Sequence, residues 1–173
     1  MWQGRADGPA SLRAFGTADR SPRDVVSSTN RALCRNQDLR RFVTVFYGVY
    51  DVDTGRLTYT NAGHNAPILA RCDGCIERLA TGGMVTGIIE GAPFDEGVTT
   101  LRSGDRLLLF TDGPTEARSQ AGVEFEDARL VEPVRRHRNC DAEVLVARIF
   151  EDVAAFAGGP LQDDATAVVV ALS

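Results

Sequence analysis

The sequence predicts an α+β fold, with two mainly antiparallel sheets flanked by helices. Three observations carry this reading. Runs rich in β-branched and aromatic residues are separated by short turn signals, Asp53-Thr54-Gly55, Asp73-Gly74 and Ser103-Gly104-Asp105, which fold a chain back on itself. Helical periodicity lies before and after this block of strands rather than between them, which disfavours alternating βαβ units. The unbroken apolar run Leu107–Phe110 has the length of a strand covered on both faces, and a second strand-like run, Ala165–Leu172, closes the chain. Helices on the outer faces of a β-sandwich fit this order.

In chain order, residues 1 to about 20 are weakly patterned, and Ala10–Phe15 reads as the last turns of a helix. Ser21-Pro22 is a helix start, an N-cap side chain followed by proline at the first helical position. Val25, Val26, Thr29, Ala32 and Leu33 give that helix an apolar face, and Asn36–Arg41 is a polar break. Phe42–Tyr50 reads as a central strand, returning through Asp53-Thr54-Gly55 to Arg56–Asn61 as a hairpin. The loop Asn61–Pro67 leads to a strand at Ile68–Arg71, with Ile76–Leu79 pairing back. Gly82–Gly91 lacks the spacing of a phosphate loop and reads as a connection. Gly97–Leu101 and Arg106–Thr111 are expected to form another hairpin. Two helices follow: Glu126–His137, short and charged, and Asp141–Phe156. In the second, Asp141 is placed as N-cap, Leu145, Ile149, Val153 and Phe156 form one stripe, and Gly158-Gly159-Pro160 ends it.

At 173 residues the chain has the length of one domain and can bury a substantial core. Its net charge of −5 argues against a nucleic-acid surface, which needs clustered positive charge. No apolar run approaches membrane-spanning length, and the N-terminus lacks a signal-peptide pattern. A cytoplasmic protein is expected, its four cysteines free thiols. Cys72 and Cys75 flank a hairpin turn signal, and no second pair stands at zinc spacing. The chain contains no lysine, a bias that suits anion contacts but also follows from genome composition.

The chemistry is expected at two strand ends. Leu107–Phe110 runs directly into Thr111-Asp112-Gly113, and Asp163-Asp164 open the last strand. If these strands are antiparallel neighbours, the acids fall on one edge of the sheet, where converging oxygen anions suit Mg2+ or Mn2+. His64 could serve as a general acid or base, although a loop histidine bonded to nearby backbone is the plainer reading. His137, beside Arg135, Arg136 and Arg138, reads as a solvated helix end.

Three stretches, RFVTVFYGVYDVDTGRLTYTNAGHNAP (Arg41–Pro67), GDRLLLFTDGPTEAR (Gly104–Arg118) and DDATAVVV (Asp163–Val170), occur in an order and spacing that resemble the metal-dependent PPM phosphatase superfamily, in its bacterial SpoIIE-type branch. SPRDVVSSTNRALC (Ser21–Cys34) is similar to the helix that precedes the FVT strand there. The resemblance implies an αββα sandwich with a two-metal centre, occupied by Mn2+ or Mg2+, at one end of the paired sheets. It implies that Asp112 and Asp163 are metal ligands and that Gly113 lets the backbone turn closely beneath the site. Glu116 matches a position that can hold a metal-bound water or a further cation, and Asp164 one that backs the ligands. The implied activity is hydrolysis of phosphoserine or phosphothreonine on a regulatory protein, of the kind that antagonises an anti-sigma factor, by a metal-activated water without a covalent intermediate. An inactive phosphatase-like module that binds such a partner is the alternative.

The family's GDVSGHG-type loop, whose aspartate bridges both metals, has no counterpart here. Gly4–Ala10 is the nearest remnant. The chain is therefore expected to begin inside the domain, with residues 1–20 as the remnant of its start and residues 21–173 as the phosphatase-like domain. Missing strands would leave unpaired sheet backbone, which predicts a homodimer, strand borrowing or poor solubility.

Overall fold

The structure, a computed structural model, describes residues 20–35, 42–159 and 164–172. In chain order the described elements are α1 (Pro22–Arg35), β1 (Val45–Asp51), β2 (Arg56–Ala62), β3 (Ile68–Ala70), β4 (Ile76–Arg78), β5 (Gly82–Gly83), β6 (Gly97–Thr100), β7 (Arg106–Phe110), α2 (Gly113–Glu116), α3 (Glu126–Arg136), α4 (Ala142–Ala157) and β8 (Ala167–Ala171). They form two mainly antiparallel sheets with helices, as the sequence predicts. The chain divides into two compact units: residues 20–64 with 80–101, and residues 65–79 with 102–172.

In the first unit, α1 starts as its sequence requires. Pro22 occupies the first position, and the Asp24 amide donates to Ser21 Oγ at 3.3 Å. Val25 and Val26 are fully buried, and Val26 packs with Val45, Ala62 and Phe94. β1 and β2 form a hairpin paired from Val45↔Ala62 to Asp51↔Arg56. β2 also pairs antiparallel with β6 and, over two residues, parallel with β5.

The central strand of this sheet is thus β2, not the Phe42–Tyr50 run. β1 has only β2 as a strand neighbour among the described residues. The residues before β1 stay outside the ladder, Val43 bridging Thr86 instead, and Tyr50 at the far end is exposed together with Val49. A rich β-branched and aromatic composition marks a strand without saying how many neighbours it has.

The glycine-rich stretch 82–91 is mainly a connection, and it is held by a buried residue of α1. Asn30 is 1% exposed. Its Nδ2 donates to the carbonyls of Ile89 (2.8 Å) and Glu90 (3.2 Å), and its Oδ1 accepts from the Gly87 amide at 2.8 Å. Asn30→Ala should cost about 1–3 kcal/mol, since it removes three hydrogen bonds between α1 and this connection. Urea unfolding of the variant checks this, and a loss below ~0.5 kcal/mol, the range of ordinary surface changes, would mean that water replaces the clamp.

The second unit holds the sheet β4-β3-β7-β8, antiparallel throughout. β6 and β7 do not form the expected hairpin, because they belong to different sheets. The turn between them is real: Asp105 N–H donates to the Arg102 carbonyl at 3.0 Å, and Gly104 has φ +86°. It hands the chain to a strand whose ladder positions are filled by β3 and β8. Turn chemistry fixes that the chain reverses, not which strand it then pairs with.

One face of this sheet packs under α3 and α4. Ile68, Leu108 and Phe110 meet Leu130 and Val134 of α3 and Leu145, Ile149 and Val153 of α4, so the expected helical stripe is the buried one. Phe156, its last member, stands edge-on to Phe125 with ring centroids 5.2 Å apart. Asp141 takes the N-cap position with non-helical φ −60°, ψ 154°, but its side chain makes no capping hydrogen bond. Gly158 closes α4 in the left-handed conformation (φ 73°), its N–H donating to the Ala154 carbonyl. No helix among the described residues is long and apolar enough to cross a membrane.

Candidate metal centre

β7 and β8 pair from Arg106↔Ala171 to Phe110↔Ala167. The end of β7 therefore meets the start of β8, the arrangement that brings both acidic motifs to one edge. The pairing continues one step past the strands. Thr111 N–H donates to the Thr166 carbonyl at 3.0 Å, and Thr166 N–H donates to Thr111 Oγ1, also at 3.0 Å.

Beyond that rung the two backbones close on each other. A Cβ on Gly113 would lie 2.6 Å from the Asp164 carbonyl oxygen and 3.0 Å from Ala165 Cα. The first is closer than a side chain tolerates, and the second is at the limit. Glycine here is a packing requirement, and it places the TDG turn directly against the DDAT segment.

Asp112 heads α2, its carbonyl accepting the amides of Thr115 and Glu116 at 2.9 Å. Its carboxylate, like that of Glu116, is exposed and has no hydrogen bond or ion pair among the described residues. Exposure removes most of the cost of holding an acid at the mouth of a buried strand. Asp164 is exposed as well. Asp163 lies outside the described residues.

Among the described residues, no three metal-ligating side chains gather closely enough to hold an ion. What the edge supplies is a donor set of one kind. Its carboxylate oxygens suit a hard divalent cation, and the Gly113 cradle brings their backbones together. The residues fit such an ion in kind.

His64 belongs to the first unit, in the loop after β2. Its backbone N–H donates to Asn61 Oδ1 at 2.8 Å, and the preceding Gly63 has φ +71°. Cys72 and Cys75 are free and exposed beside the hairpin turn. Asp73, whose carboxylate accepts the Cys75 amide at 2.8 Å, pushes the Cys75 thiol pKa up, away from the thiolate that redox or metal chemistry needs. In the arginine cluster, Arg136 pairs with Glu132 at 3.4 Å, and Arg138 donates to the Arg135 carbonyl.

Sequence reasoning missed three residues that anchor the ends of β7. Thr111 and Thr166 stand next to the apolar runs that they tie together, and their matching offsets were the available signal. Asp105 is fully buried at the start of β7, and only its place beside Gly104 hinted at a structural role.

Residues 10–173 match the family model described as Stage II sporulation protein E (SpoIIE). The chain is 30% identical over 150 residues to the phosphoserine phosphatase RsbU of Bacillus subtilis, covering 86% of this chain and 44% of RsbU. It therefore spans less than half the length of that relative. Among solved structures, the SiaA-PP2C domain of Pseudomonas aeruginosa superposes with TM-score 0.83 at 16% identity, over 96% of this chain and 68% of that one. The phosphatase domain of SpoIIE from Bacillus subtilis, presoaked with Mn, gives TM-score 0.70 at 18% identity, over 99% of this chain and 75% of that one. At such identities the superpositions speak for the fold, and the family match carries the rest. The chain belongs to the SpoIIE family of PPM-type phosphatases.

Proposed function

We propose that this chain works as a metal-dependent protein phosphatase domain that hydrolyses phosphoserine or phosphothreonine on a regulatory protein of the anti-sigma-factor-antagonist type. The observation that carries this reading is the meeting of the TDG and DDAT segments across the Thr111–Thr166 rung. The name of RsbU, a phosphoserine phosphatase, supports the substrate class.

In this reading Asp112 and Asp163 hold the cations and Gly113 keeps the two backbones at contact distance. Asp164 backs the ligands. Glu116, at the end of the single turn α2, orients water or adds an oxygen. His64 shapes its loop through the Asn61 bond. When bound, Mn2+ or Mg2+ would supply an activated water and neutralise phosphate charge. The protein's own contribution is anionic: the exposed carboxylates of Asp112 and Glu116 draw cations in, and the buried strand before them fixes where Asp112 stands.

A second reading, a module that keeps the fold and binds the partner without hydrolysis, is favoured by one observation: among the described residues no three metal-ligating side chains gather closely enough to hold an ion. We also place the domain over residues 21–173 in the cytoplasm, and propose self-association through sheet edges. β8 carries exposed Val168 and Val170, and no strand lies on its outer side among the described residues.

Calorimetric titration with MnCl2, beside hydrolysis of a phosphoserine peptide, tests the reading. Two bound ions with metal-dependent phosphate release are expected. Absence of both, from a chain whose unfolding is cooperative, would favour the binding module.

A further inference from the structure

We propose that Thr111 is a positioning residue for the acidic edge, its side-chain hydroxyl standing in for a main-chain acceptor to hold Asp112 and the Asp164 segment in place. This rests on the metal reading above.

A regular antiparallel rung exchanges two main-chain hydrogen bonds between its residues. At Thr111↔Thr166 the first is present, Thr111 N–H to the Thr166 carbonyl at 3.0 Å. The second is made differently. Thr166 N–H donates to Thr111 Oγ1 at 3.0 Å, while the hydroxyl lies 3.5 Å from the Thr166 carbonyl.

The main chain of Thr111 is thereby released to leave the ladder. It needs that release, because the next residues are Asp112, at helical φ −65°, ψ −30°, and Gly113, packed against the Asp164 carbonyl. The ladder holds its last rung while the backbone turns away from it. Without the hydroxyl, Thr166 N–H would lose its acceptor, or Thr111 would have to keep its carbonyl in the ladder and pull Asp112 out of position.

The test compares Thr111→Val, which keeps the shape and removes the hydroxyl, with Thr111→Ser, which keeps the hydroxyl. Mn2+ affinity is read by calorimetry, and amide hydrogen exchange is read on the metal-free proteins. Thr111→Val should weaken Mn2+ binding about tenfold to a hundredfold, the range seen when a ligand's supporting partner is lost. It should also speed exchange at Thr166 and Gly113, while leaving the amides of α4 unchanged. Thr111→Ser should restore both.

Equal Mn2+ affinity in Thr111→Val and the parent would overturn the proposal and leave the metal reading standing, as would loss of affinity in the valine variant with no rescue by serine. A parent chain that takes up no Mn2+ would overturn the metal reading, and this proposal with it.

Discussion

Asp105→Ala should lower unfolding free energy by about 3–5 kcal/mol, the cost of removing one partner from a buried ion pair. Asp105 is 0% exposed and gathers three donors from two places in the chain. Arg71 Nη1 reaches it at 2.8 Å, Cys72 N–H at 3.0 Å and Arg102 N–H at 3.0 Å. Arg71 is held in turn by Glu77 at 2.7 Å. The hydrogen bond to Glu77, more than that to Asp105, keeps its guanidinium above the ordinary arginine pKa despite partial burial.

Alanine would leave the Cys72 and Arg102 amides without their acceptor and Arg71 with one carboxylate in place of two. Asp105→Asn should cost less, because the side-chain oxygen still accepts from an amide while the charge is lost. Urea unfolding of both variants in metal-free buffer checks this ordering. A loss under ~1 kcal/mol for Asp105→Ala, typical of an exposed pair, would show that solvent reaches the cluster.

The second large effect concerns activity with stability left intact. Asp112→Asn should weaken Mn2+ binding by more than about a hundredfold, beyond what loss of a merely supporting partner costs, and phosphopeptide turnover should fall with it. The carboxylate is exposed and unpaired among the described residues, so the metal-free protein should keep its stability within ~0.5 kcal/mol. The rise in melting temperature that saturating Mn2+ gives the parent should vanish, since that rise is binding free energy added to the folded state. A variant that melts earlier without metal, yet responds to Mn2+ like the parent, would show that Asp112 is a turn residue and not a ligand.

What the sequence revealed and what it withheld divide along a physical line. Features written locally were legible. Leu107–Phe110 and Ala165–Leu172 are apolar over strand length, and they pair. The Leu145, Ile149 and Val153 stripe lies within one helix, and it is buried. Gly158 ends that helix in the left-handed conformation, which glycine adopts more easily than other residues.

Features that depend on partners far away in sequence were not. Asn30 binds Ile89 and Glu90 across about sixty residues, and nothing in SSTNRA distinguishes it from a surface asparagine. β6 and β7 flank a genuine turn yet join different sheets, because strand partners are chosen by packing and not by the turn. At the candidate site, the edge shared by Asp112 and Asp164 was readable from two strand ends, while the hydroxyl that ties those ends became visible only in the pairing.

The composition of β7 has one more effect. Leu107, Leu108 and Phe110 are all buried, on alternating sides. A slip of one residue would put leucine where leucine was. The run therefore has almost no preference of its own for one alignment over the next, unlike a strand whose polar face would be forced inward. Yet such a slip would carry Asp112 about 3.4 Å along the strand and turn it to the other side. The alignment must come from the two ends: Asp105, locked by its three donors, and Thr111, locked by its hydroxyl. The hydrophobic middle makes the strand stable, and the polar ends decide where the acid stands.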